Sequence, residues 1–73
     1  MRIYIEAIEK LPPDLTEEPE FVRIDVTGYS EAEIDEVVSN VKELMSGLSY
    51  VLQKHYCHHD KEGACRVEIL EEV

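Results

Sequence analysis

At 73 residues, with 17 Asp and Glu against seven Lys and Arg and a formal net charge of −10, the chain has material for one core only, and residues 1–73 are expected to form a single domain. An acidic surface of this kind repels phosphate, which argues against nucleic acid and anionic membranes as partners. The hydrophobic fraction of 44% is too high for a disordered acidic tail, yet a domain this small commonly adds a disulfide, a metal or a partner subunit to its core.

The first element is a β-strand: Ile3, Ile5 and Ala7 alternate with Tyr4, Glu6 and Ile8, and the run ends near Glu9. Residues 11–20 (LPPDLTEEPE) hold all three prolines and four acids, a composition that blocks both helix interior and sheet ladder and predicts an acidic, Pro-rich loop. A second strand follows, in which Val22, Ile24 and Val26 alternate with Phe21, Arg23, Asp25 and Thr27, with Gly28 as its stop.

The helix start is the clearest local signal. Ser30 is a natural cap and Glu33, three residues on, completes a capping box, while Ile34, Val37, Val38, Val41, Leu44, Met45 and Leu48 recur at helical spacing. Glu31, Glu33, Asp35 and Glu36 crowd the first turns, where the positive end of the helix dipole favours them. Two endings are open. Ser46-Gly47 reads as a C-terminal cap, whereas Val51, Leu52 and Tyr56 would continue the stripe. The β-favouring residues of segment 50–58 favour a stop at Gly47, a third strand over 50–58, a turn over Asp60–Gly63 and a fourth strand from Cys65 to Leu70. In that strand Cys65, Val67 and Ile69 are expected to form the buried face. The fold class is therefore α+β: a small two-layer ββαββ domain (or ββαβ with a longer helix), one amphipathic helix on a three- or four-stranded sheet.

Charge is unevenly spread. From Asp14 to Glu36 there are nine acids and one base, a net of −8, whereas Val37 to Arg66 carries three acids and four bases, a net of +1. A solvated face explains the acidic half, with a basic partner or a saline habitat as alternatives. No Lys- or Arg-led apolar stretch opens the chain and no run approaches about 18 apolar residues, which leads to the expectation of a cytoplasmic protein with neither leader nor membrane span.

Chemistry concentrates in HYCHHDKEGAC, which holds all three histidines and both cysteines. On an alternating strand His55, Cys57 and His59 share one face, and Cys65 joins them only if the hairpin register sets it opposite. These four residues are the candidate metal ligands, for zinc, although their spacing matches neither C-x2-C nor H-x3-5-H pairs. The poor spacing favours instead a plain hairpin with one buried thiol and outward imidazoles and no cofactor, and a third reading is a Cys57–Cys65 redox pair or disulfide closing over seven intervening residues. Cys57 and His58 are strand neighbours pointing to opposite faces, so they form no catalytic dyad, and the three glycines lie too far apart for a phosphate cradle. The sequence thus leads to a non-enzymatic interaction or accessory module, its partner another protein or a second copy of itself, with a small zinc-binding or thiol-redox protein as the alternative.

Overall fold

The structure, a computed structural model, describes residues 1–12, 14, 16–57 and 65–73. In chain order the elements are β1 (Arg2–Glu9), β2 (Phe21–Asp25), α1 (Glu31–Leu44), β3 (Tyr50–Cys57) and β4 (Arg66–Glu72). The strands form a four-stranded antiparallel sheet in the order β2-β1-β3-β4, with α1 packed on it, so the class is α+β.

Local chemistry accounts for each boundary. The β1–β2 loop is pinned where it leaves the sheet, since the Glu9 amide donates to the Glu20 carbonyl at 2.9 Å and the Glu20 amide to Glu9 Oε1 at 3.1 Å. At the start of α1 both halves of the capping box are made: Glu33 N donates to Ser30 Oγ at 3.2 Å and Ser30 N to Glu33 Oε1 at 3.0 Å. The helix stops at Leu44, with Met45 as its cap and Gly47 at φ 87°, a left-handed conformation that glycine adopts without a Cβ penalty. The continuation of the helical stripe to Tyr56 is thereby overturned: Val51, Leu52 and Tyr56 lie on β3. The β2 ladder ends at Asp25, two residues before the Thr27 expected. His58, the turn expected over Asp60–Gly63 and His59 lie outside the described residues.

Side chains directly opposed in an antiparallel ladder share a face. Ile5 opposes Ile24 and Lys54, and Ala7 opposes Val22 and Leu52. This is the face that α1 covers: Ile34, Val37, Val38, Val41 and Met45 pack into one cluster with Ile5, Ala7, Val22, Ile24 and Leu52. On the reverse, open face lie Tyr4, Glu6 and Ile8, with Asp25, Arg23 and Phe21 beside them on β2 and His55, Gln53 and Val51 on β3.

β4 corrects the sequence reading. Its alternation is real, but Val67 pairs with His55 and Ile69 with Gln53, which puts both on the open face, 46% and 54% exposed. Cys65 is exposed as well, and the buried thiol is Cys57. The physical reason is that β4 is an edge strand while the helix lies against β1; what β4 turns towards the helix side is Arg66, Glu68 and Glu71, and the last of these is tied to α1 by an ion pair with Lys42. A register shift between Leu52 and Gln53 leaves Leu70 as the extra residue of the strand. Among the described residues no helix is long and apolar enough to cross a membrane.

Two measurements check this arrangement. In urea melts, Leu52→Ala should cost about 2–5 kcal/mol, because it hollows the centre of the core, whereas Ile69→Ala should stay within about 1 kcal/mol, as expected of a half-exposed site. The second concerns pH. Hydrogen bonds from the backbone and side chain of Ser30 hold the Glu33 carboxyl below its ordinary value of 4.5. A depressed folded-state value stabilises above 4.5 and is lost as pH falls through the folded value. The stability difference between the wild-type chain and Glu33→Gln should therefore be largest near neutrality and close progressively on acidification below that point.

Candidate metal centre

The open face has a carboxylate at its middle. Glu6 is only 2% exposed although, among the described residues, no second layer covers this side of the sheet. Its cover is its neighbours: Arg23, across from it on β2, extends over the rings of Tyr4 and Phe21, with the guanidinium carbon 5.2 and 5.3 Å from their centroids. Three donors reach the two carboxylate oxygens. Arg23 Nε donates to Oε2 at 2.7 Å, Gln53 Nε2 to Oε1 at 2.7 Å, and His55 Nδ1 lies 3.2 Å from Oε2. Burial by itself would raise the Glu6 carboxyl, but hydrogen bonds from Gln53, His55 and Arg23 outweigh it and hold the group below its ordinary value of 4.5. Glu6 is therefore an anion at neutral pH.

That charge decides how His55 is presented. A carboxylate only accepts, so the proton sits on Nδ1, and in the neutral ring Nε2 carries the lone pair. Nε2 is buried, and the Cys65 thiol lies beside the ring. Two residues along the same face of β3 comes Cys57, 4% exposed. Across the hairpin, the Tyr56–Arg66 pair sets Cys65 opposite Cys57, and the two sulfurs lie 3.3 Å apart. The ligand atoms of His55, Cys57 and Cys65 all fall within 4.8 Å of one another.

Electrostatics within the cluster follow from this crowding. The Cys65 thiol and then Glu6, both hydrogen-bonded to the imidazole, push His55 above its ordinary 6.5, so it holds a proton more readily than a free ring. The Cys57 thiol is pushed up by its hydrogen bond with Cys65, then by burial. A cation placed among the three groups reverses both tendencies, because it favours the thiolates and the neutral imidazole.

Of the four candidate ligands read from the sequence, the structure brings His55, Cys57 and Cys65 together, the register having met the condition that alternation left open for Cys65; His59 lies outside the described residues. The sequence reading missed Glu6. Its signal was an acid in the middle of a central strand between Tyr4 and Ile8, where alternation alone assigns it to a solvated face. The groove of about 430 Å³ between α1 and β4, lined by Ile34, Val38, Leu52 and Leu70 among others, lies on the helix side of the sheet, away from the thiols. The group can chemically do two things: hold a thiophilic cation with one imidazole and two thiolates, or form a sulfur–sulfur bond. Comparison with known protein families, curated proteins and solved structures finds no match.

Removing the central acid should separate its contributions. Glu6→Leu leaves Gln53 and His55 Nδ1 without their acceptor and should cost about 1–3 kcal/mol in denaturant melts. Arg23→Ala, whose guanidinium is half exposed, should cost less than about 1 kcal/mol. Equal losses for the two would show that the ion pair alone, rather than the three-donor set, holds the carboxylate.

Proposed function

We propose that the protein is a small metal-binding module that takes zinc through His55 Nε2, Cys57 Sγ and Cys65 Sγ. The observation that carries the reading is the orientation of His55: its Nδ1 is engaged by a buried carboxylate while the ring shares a space of 4.8 Å with two sulfurs. A carboxylate behind a histidine fixes the tautomer and raises the basicity of the ligating nitrogen, a common support of zinc-bound histidines. Two sulfurs and one imidazole suit zinc better than calcium or magnesium, which prefer oxygen. Three protein ligands leave the fourth tetrahedral position for water, a further side chain or a substrate group. We set this reading above the interaction module expected from the sequence, because the exposed Phe21, Val67 and Ile69 point to no particular partner, whereas the donor set suits a class of ion.

Native mass spectrometry of untagged protein should find one zinc per chain, and cobalt(II) should give a sulfur-to-metal charge-transfer band. The band should be lost in Cys57→Ser and Cys65→Ser and weakened in His55→Ala. Glu6→Gln keeps all three ligands and should still weaken zinc binding about 10–100-fold. A wild-type protein that stays metal-free in excess zinc, with no charge-transfer band, overturns the assignment.

A further inference from the structure

We propose that Cys57 and Cys65 are also a reversible disulfide pair closed by hydroperoxide, and that closing it releases the metal. The metal half of this inference rests on the proposed function; the disulfide half does not.

The register carries the argument. The β3–β4 ladder ends at the Tyr56–Arg66 pair, and Cys57 and Cys65 are the next residues on its two arms. Directly opposed residues hold their Cβ atoms about 4.5–5.5 Å apart, next to the roughly 3.5–4.5 Å of a disulfide. The sulfurs themselves stand 3.3 Å apart. Two thiolates on one tetrahedral zinc, each at about 2.3 Å from it, are separated by about 3.8 Å, and a disulfide bond is about 2.05 Å long. The observed spacing lies between the two, so the pair reaches either state by a shift of an ångström or so, and the two states exclude each other. In the disulfide each sulfur has given up its thiolate charge, and His55 is left as the one strong ligand of the three.

Exposure assigns the order of events. Cys65 is exposed and Cys57 is 4% exposed, so peroxide meets Cys65 first. The Cys65 thiolate attacks one peroxide oxygen, the O–O bond breaks, and the departing hydroxide takes a proton from solvent to leave as water; Cys65 is now a sulfenic acid. Cys57 then attacks that sulfur, the S–S bond forms, the S–O bond breaks, and the hydroxide leaves as water with the Cys57 thiol proton. Two thiols and one hydroperoxide molecule, HOOH, give one disulfide and two waters, the two electrons passing from the sulfurs to the peroxide. From the zinc-bound dithiolate the same balance draws two protons from solvent and releases one Zn²⁺. A dithiol reductant reverses it by thiol–disulfide exchange.

The test treats metal-free and zinc-loaded wild-type protein with one equivalent of hydrogen peroxide. Intact mass should show the loss of two hydrogens from the monomer, peptide mapping should join Cys57 to Cys65, and a chromogenic chelator should register one zinc released per disulfide, regained after dithiothreitol. Cys57→Ser should stop at a Cys65 sulfenic acid that dimedone traps, and Cys65→Ser should react with peroxide about tenfold more slowly or less. Sulfinic or sulfonic acid at Cys65 without a cross-link, or disulfides formed only between chains, overturns the inference. A metal-free chain that closes its disulfide but never binds zinc supports the cysteine pair and removes the metal reading. A chain that binds zinc and forms no disulfide does the reverse.

Discussion

A carboxylate buried in the sheet face opposite the helix is the constraint on which this molecule turns. Placing an anion there is costly unless it is hydrogen-bonded, and Glu6 draws three donors from the two flanking strands. Its donors are its ladder partners or their neighbours: Arg23 is opposite it on β2, Gln53 is opposite it on β3, and His55 is one place further along the same face. A slip of either strand by one residue would turn these donors to the helix side and leave the acid without them. The interaction that satisfies one side chain thus also enforces the pairing of three strands.

The two faces of the sheet divide the work. The helix side carries the apolar cluster around Ile5, Ala7, Val41 and Leu52, with ordinary packing and a capped helix. The open side carries the polar network and, at its end, the sulfurs. Between them these account for how a chain of 73 residues keeps four strands in place. β4, which the helix scarcely reaches, is attached by its ladder to β3, by Lys42 to Glu71, and at the hairpin end by the Cys57–Cys65 contact. A metal or a disulfide at that point would act where the core contributes least, as the kind of staple that small domains add.

Much of this was legible from the amino acids. Ser30 and Glu33 fixed the start of the helix because a capping box is a local device that needs no tertiary help, and Gly47 marked its end for the same reason. Alternation placed His55 and Cys57 on one face of one strand. What could not be read was which face meets the helix. Alternation divides a strand into two sets without saying which is inside, and for Val67 and Ile69 the more apolar set belongs to the open side of an edge strand. Glu6 was hidden by the same ambiguity: its role depends on Gln53 and His55, 47 and 49 residues away, and pairing across such separations leaves no local mark.

The edge formed by β4 has a consequence for how copies of the chain meet. An outer strand offers an unsatisfied row of backbone donors and acceptors, and here that row runs beside Val67, Ile69 and Leu70, all more than a third exposed. Such an edge is a template for sheet growth from molecule to molecule. Interleaved with the aliphatics, however, are Glu68, Glu71 and Glu72, so a second copy docking edge to edge brings like charges into register. The acidity of this strand therefore also works as a gatekeeper against growth of the sheet from molecule to molecule.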